Sequence, residues 1–502
     1  MIELHAKIHD KFSIEFKVGF VARKRREISN FVMNTWIFIP GTLDINPLAY
    51  KKDTFYRDIK SYLRLITPVY PLARIAEAGE APLLLLERAA GKLARSRSRV
   101  VVDEHRAHVR MFASIIKSAL RDELAHIKQN RVEEDTRYLC HAYARDVTRI
   151  TDAYRFLGHL INLPTVPANA IDHHRAGDEF ISNAIEQNTH ALLAYLDTVI
   201  PAPDDPLKAE LLHLLQREVD YKTARAYPRV NERDERENQD FVARAGFLKR
   251  YIEADLFLTA RRRSNTFMIE QVLFSLAAGL AMIFATAVAF AVQREYGNFT
   301  MPLFVALVVS YMLKDRIKEL ARHYFAHNLG TRYFDHKIQI SRQGIPIGWS
   351  KEGVDFIAAE KVPAEVIAIR ERSPRAGEYA ARPLRGSGKN PRRPDENGNE
   401  EKIIFYRERV QFKRKRLVKT DDYTFPGIHD IIRFNISEFC RKMDNPAVPL
   451  GVITADGHRR VVQGDKVYYL NFIMQCRYEE QLEYKRYRVI FNRAGIIALE
   501  TP

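Results

Sequence analysis

The residues with the most suggestive chemical spacing are Glu319, His323 and His327. They stand at i, i+4 and i+8 in Lys314–Leu329, a stretch of helical periodicity, and so share one helix face. Two imidazoles one turn apart can chelate a zinc or iron ion, and the carboxylate can be a third ligand. The HExxH arrangement of zinc peptidases and the multiple histidine boxes of membrane desaturases are both absent. Beside Tyr324 and Phe325, the same histidines also suit a membrane surface.

The second chemical feature is cationic. Arg407, Arg409, Lys413, Arg414, Lys415, Arg416 and Lys419 crowd one predicted strand, Ile403 to Leu417, and its continuation, with Arg392-Arg393 just before it. Charge this dense is expected to leave both faces of the strand cationic. Near an anionic bilayer each cation adds about 1 kcal/mol of attraction. A solvated edge strand protected from aggregation by its lysines and arginines explains the pattern equally well. Nucleic acid is attracted by the same charge, but no base-reading module is present, and Phe405, Tyr406 and Phe412 fit a strand core.

Four short motifs carry less. Asp172-His173-His174 matches the tripeptide that names the DHH phosphoesterases. Here it follows a proline-rich connection and precedes a predicted helix, where a capping aspartate and two solvent-facing histidines account for it. Glu123 and His126 form one ExxH unit, with Glu104 and His108 nearby, but a carboxylate di-iron bundle needs a second ExxH and two more glutamates. Gly386-Ser387-Gly388-Lys389 lacks the first glycine of a phosphate loop and the strand before it. Asn298-Phe299-Thr300 is a glycosylation sequon too close to the predicted bilayer for modification. No dinucleotide, kinase or nucleophile-elbow fingerprint appears, and no cofactor is expected.

The elements around these residues centre on Met268–Leu313. Val272 to Val292 holds no ionisable residue and is long enough to cross a hydrocarbon core of roughly 30 Å. Met301 to Leu313 is apolar but short, nearer a re-entrant or interfacial piece; extended back to Gly297 it is expected to return as a second span. Lysines and arginines flank the pair on both outer sides, while the turn carries only Arg294, beside Glu295. The positive-inside rule then places both termini in the cytoplasm and the protein as multi-pass in the cell inner membrane. Ala277, Ala278, Gly279 and Ala281 offer a small-residue face for homo-oligomerisation through the hairpin.

The remaining sequence divides by period. Residues 1–70 mix strands (Lys11 to Val21, Phe31 to Pro40) with a helix over Asp53 to Leu65, and are expected to pair with the C-terminal sheet. A basic knot, Arg23-Lys24-Arg25-Arg26, sits between the two strands. Residues 72–265 read as a helical bundle whose last helix, from Glu235, continues into the membrane. After the hairpin at 266–313 and a juxtamembrane amphipathic helix at 314–330, residues 331–502 read as a β-rich domain. Its strands include Glu365 to Glu371, its end is a three-strand meander, and 372–401 is expected to be a disordered loop. The fold class expected is an α+β membrane protein: a helical bundle running into a two-helix transmembrane hairpin, followed by a mainly antiparallel β-rich cytoplasmic domain.

With 502 residues, 46% hydrophobic and 28% charged, most of the chain is globular. Three dispersed cysteines point to a reducing compartment, and the N-terminal stretch lacks the apolar segment of a signal peptide. A net charge of +16 calls for an anionic neighbour. The expected function is a membrane-anchored cytoplasmic scaffold or sensor, more a binding protein than an enzyme, with a protein or anionic lipid as partner. The alternatives are a membrane-surface metal-dependent enzyme using the Glu319, His323 and His327 cluster, and an oligomerising membrane-permeabilising effector.

Overall fold

The computed structural model describes all residues except 1, 22–26, 78–81, 131, 201, 203–204, 265, 298–299, 330–333, 372–400, 414–422, 444–445 and 502. It divides into two compact units. The first comprises Met1–Arg64, Leu258–Leu417 and Gly427–Pro502; the second comprises Leu65–Phe257 with Val418–Pro426.

The first unit is built on antiparallel sheets. Strands β1 (Ile2–Asp10), β2 (Ser13–Val21) and β3 (Ile28–Ile39) precede helix α1 (Lys52–Asp58) and β4 (Ile59–Leu65). The helix predicted over Asp53 to Leu65 thus stops at Asp58, because Ile59–Leu65 joins a sheet edge instead. Further on come β5 (Thr259–Ser264), helices α8 (Thr266–Tyr296) and α9 (Met301–Leu329), β6 (His336–Arg342), β7 (Ile345–Ile357), α10 (Ala364–Glu371), β8 (Lys402–Lys413) and β9 (Gly427–Asn435). An exposed hairpin of β10 (Ala447–Ile453) and β11 (Arg459–Asp465) leads to β12 (Tyr468–Tyr478), β13 (Gln481–Asn492) and β14 (Gly495–Glu500).

The strands form a four-stranded sheet, β1-β2-β9-β4, and an eight-stranded sheet, β14-β13-β12-β3-β8-β7-β6-β5. Strand β3 lies between β8 and β12, so residues of the N-terminal stretch close the middle of the larger sheet. Alternation turns Phe31, Val410 and Phe412 inward and Arg409 and Gln411 outward. Inward aromatic rings lock the core: Phe31 stacks on Tyr478 at 4.4 Å and on Phe412 at 5.4 Å, and Phe16 meets Phe472 at 5.1 Å. One end of the outer face is covered by described residues. There Val362 and Val366 pack on Trp36, Phe38, Ile403 and Ile473. That covering element is α10, a helix where alternation in Glu365 to Glu371 predicts a strand; Ile367 and Ile369 also pack on the cluster. The expected disordered loop, 372–401, lies outside the described residues apart from its first-turn neighbour Glu371 and from Glu401, whose carboxylate pairs with Arg370 at 2.6 Å.

Helices α8 and α9 run as an antiparallel pair between β5 and β6. Their structure overturns the expected two-helix transmembrane hairpin. Among the described residues only one helix is long and apolar enough to cross a membrane, through the 23 residues Phe274–Tyr296 of α8. The apolar part of α9 ends at Leu313, about 20 Å along its axis. The same helix then continues through Lys314, Asp315, Arg316, Lys318 and Glu319. The strands on either side of the helical pair are neighbours: β5 pairs with β6 from Thr259↔Ser341 to Ser264↔His336, so the chain returns to the strand beside the one it left.

The second unit is a helical bundle: α2 (Pro82–Arg95), α3 (Arg99–Gln129), α4 (Glu133–Ile161), α5 (Ala168–Val199), α6 (Pro206–Arg225) and α7 (Glu235–Glu253). Helix α5 is central, packing on α3, α4, α6 and α7. Its stripe toward α6 is polar. Glu218 accepts from Arg155 and Ser182, both at 2.7 Å, and Asp178 accepts from Tyr221 at 2.7 Å and Tyr227 at 3.0 Å. Lys222, fully buried, donates to Asn183 at 2.6 Å and also bonds Glu186. Such a satisfied network fixes helix register where an all-apolar seam would slide. Helix α7 does not continue into α8. It ends at Glu253, where Lys117 pairs with the carboxylate at 2.6 Å and Asp255 is held by Arg110 at 3.1 Å; the chain then becomes β5.

Candidate functional site

The open end of the outer sheet face is strongly cationic. Cross-strand register brings Arg263 opposite Lys337, Lys337 opposite Lys351, and Lys351 opposite Arg409. Four cations thus form one row across β5, β6, β7 and β8. Like charges directly opposite one another destabilise a sheet, and among the described residues none of the four has a carboxylate partner. The next row is Arg261, Gln339, Trp349 and Gln411. Lys337 and Lys351 flank the Trp349 ring, with Nζ at 5.9 and 5.1 Å from its centre. A groove of about 460 Å³ runs along these rows, lined by Arg263, Lys337, Gln339, Trp349, Gln411 and Lys413. Its β5 wall ends at Ser264, and the apolar helix α8 begins two residues later at Thr266.

This arrangement corrects the expected doubly cationic strand. On β8 the residues between the cations are Glu408, Val410 and Phe412, all buried, so Arg407, Arg409 and Lys413 share one face. Arg407 is neutralised there by Asp355 at 3.1 Å, while Arg409 and Lys413 have no carboxylate partner among the described residues. Arg414, Lys415, Arg416 and Lys419 lie outside the described residues, as do the basic knot at 23–26, Arg392-Arg393, Gly386–Lys389 and the sequon residues Asn298 and Phe299. Reasoning from the sequence missed Arg263, Lys337, Trp349 and Lys351, because the row exists only once four strands are paired. The alternations Arg261-x-Arg263 and Lys337-x-Gln339 were the available signal.

Of the expected metal ligands, Glu319 is exposed on α9, and His323 and His327 occupy later turns of that helix with side chains outside the described set. Among the described residues no three His, Cys, Asp or Glu side chains are arranged to hold a metal ion. Asp172-His173-His174 lies within α5, not before it. His174 is buried against Tyr154, with rings 4.3 Å apart, and His173 Nδ1 meets the Tyr251 hydroxyl at 2.5 Å, so neither faces solvent freely. His174 also stacks with His105 at 5.9 Å and 22°. Neither ring has a hydrogen-bond partner, and burial lowers His105 to about 3 and His174 to about 4. Near-parallel rings do not aim their lone pairs at one ion, so this pair is neutral packing. Glu123 and His126 face each other at 3.9 Å on an exposed helix surface, while Glu104 pairs with Lys92 and His108 with Tyr423.

Two further groups of titratable side chains are buried. Glu352, Glu408 and Asp430 are buried between the sheets. Glu352 meets Arg262 and Tyr406, Glu408 accepts from Ser350 at 2.9 Å, and Asp430 accepts from Ser61 at 2.5 Å. Burial raises Asp430 to about 6 and Glu408 well above the carboxylate range, so Glu408 keeps its proton and donates it toward Asp430. Cys140, Cys440 and Cys476 are free and buried, and burial pushes them up to about 12, 11 and 12; none is a thiolate nucleophile. No family model, curated protein or solved structure matches this chain.

Proposed function

We propose that the protein is a membrane-bound scaffold or sensor that holds its cationic sheet face against anionic lipid on the cytoplasmic side. The observation that carries this reading is the unneutralised row Arg263–Lys337–Lys351–Arg409 at the foot of the apolar helix α8. A row of like charges opposes folding of the sheet unless an anionic surface balances it, and α8 brings that surface within reach. The wide exposure of Leu276, Leu280, Ile283, Phe290, Phe304 and Val308 on the helical pair favours a lipid neighbour.

Flotation on sucrose gradients tests the proposal. Protein transferred from detergent to vesicles should associate more strongly with bilayers containing phosphatidylserine than with phosphatidylcholine alone, and the preference should shrink as salt rises. Equal association with both compositions contradicts it. The metal-enzyme alternative is tested by elemental analysis of the purified chain; near-stoichiometric zinc or iron, lost when His323 and His327 are substituted, favours that reading instead.

A further inference from the structure

We infer, building on that membrane reading, that the groove bounded by Arg263, Lys337, Trp349 and Lys413 is a binding site for the phosphomonoester headgroup of a membrane lipid. Among the described residues its walls supply three exposed cations and no carboxylate. Arg263 offers a planar fork that grips two phosphate oxygens, and the lysines add compact point charges. A phosphomonoester carries about −1.5 to −2 charges at neutral pH, whereas a diester carries one, so the monoester balances more of the row. Trp349 forms the floor between Lys337 and Lys351, a ring suited to the level where glycerol and headgroup meet.

The surrounding structure narrows the ligand. The other end of the same sheet face is covered by α10 over Trp36, whereas Arg263, Lys337 and Lys413 are exposed. Gln411 donates its side-chain amide to Asn30 at 2.7 Å, which fixes one edge of the groove with its carbonyl oxygen turned away from that bond. The groove adjoins the segment that leads into α8, which places a bound phosphate at the depth of a headgroup.

Binding is measured with the full chain in detergent, titrated with short-chain phosphatidic acid, short-chain phosphatidylserine, inorganic phosphate and a single-stranded oligonucleotide. Phosphatidic acid is expected to bind about fivefold more tightly than phosphatidylserine, one cation's worth of extra attraction. Lys337→Gln with Lys413→Gln should weaken phosphatidic acid by about 25-fold, whereas Lys337→Arg should retain it. Trp349→Ala should lose the preference between the two lipids; Trp349→Phe, with unchanged near-ultraviolet circular dichroism, controls for folding. Equal affinity for the two lipids, or variants without effect, overturns the site while leaving general anionic-lipid binding intact. Absence of binding to any anionic vesicle overturns the membrane reading itself. Inorganic phosphate binding as tightly as phosphatidic acid, or an oligonucleotide binding more tightly, overturns the lipid assignment.

Discussion

Replacing Glu408 by glutamine should stabilise the first unit, and by an amount that grows with pH. Glu408 lies 4% exposed beside Asp430 at 0%, and burial holds its carboxyl protonated well above the usual range. The unfolded chain releases that proton near the ordinary glutamate value, about 4.3. A group raised on folding contributes stability that is complete below its unfolded value and is lost as pH rises toward its folded one. Between those limits the loss is about 1.4 kcal/mol per pH unit for one proton. Glutamine keeps an N–H to donate toward Asp430 and an oxygen for Ser350, but has no proton to lose. The advantage of Glu408→Gln over the natural chain should therefore increase by about 3 kcal/mol from pH 5 to pH 7. Both tryptophans, Trp36 and Trp349, belong to this unit, so urea unfolding followed by their fluorescence in detergent reports it directly. A difference that stays constant across that range would mean Glu408 is ionised in the fold, and the linkage reasoning fails.

Other outcomes follow from the same packing. In the bundle the sign reverses: His105 and His174 are lowered by burial, so their contribution is full above about 6.5 and is lost as pH falls toward their folded values of about 3 and 4. His174→Phe should remove about half of the bundle's acid sensitivity between pH 7 and 5, read by helical circular dichroism in urea. Glu218→Ala should destabilise the bundle by about 1–3 kcal/mol, leaving Arg155 with Asp178 alone and Ser182 without its acceptor, whereas Arg155→Met with Glu218→Leu should lose less; chemical denaturation separates them. Phe31→Ala, emptying the stack between Phe412 and Tyr478, should cost about 3–5 kcal/mol in the first unit's urea midpoint. Because β5 pairs with β6, tags inserted before Thr259 and after Glu500 should be equally accessible to a protease on one side of sealed vesicles; protection of only one contradicts the sheet.

Local periodicity carried much of the secondary structure. Met111, Phe112, Ile115, Ile116, Ala119 and Leu120 form the stripe predicted on α3, and all six are buried. The closing meander of β12, β13 and β14 was legible from alternation and from the turn at Asn492–Gly495, where Gly495 takes a φ of +134°. What failed were decisions made by distant partners. Ile59–Leu65 continues a helical pattern but pairs as a strand, and Glu365–Glu371 alternates like a strand but lies as a helix over Trp36. The span reading treated Met301–Leu313 as a separate segment, whereas α9 carries it on into charged sequence without a break. The candidate site shows the same limit. Four of the seven cations counted along one segment lie outside the described residues, while the row across the sheet draws single residues from four strands spread from position 263 to position 409.

The most direct test of the account is flotation of the full chain against that of a variant carrying Arg263→Gln, Lys337→Gln, Lys351→Gln and Arg409→Gln. With about 1 kcal/mol for each cation at low salt, the variant should lose most of the preference for phosphatidylserine vesicles while keeping its association with phosphatidylcholine through the helical pair. An unchanged preference for the anionic vesicles would contradict the account, because the charge that reads the membrane would then lie elsewhere.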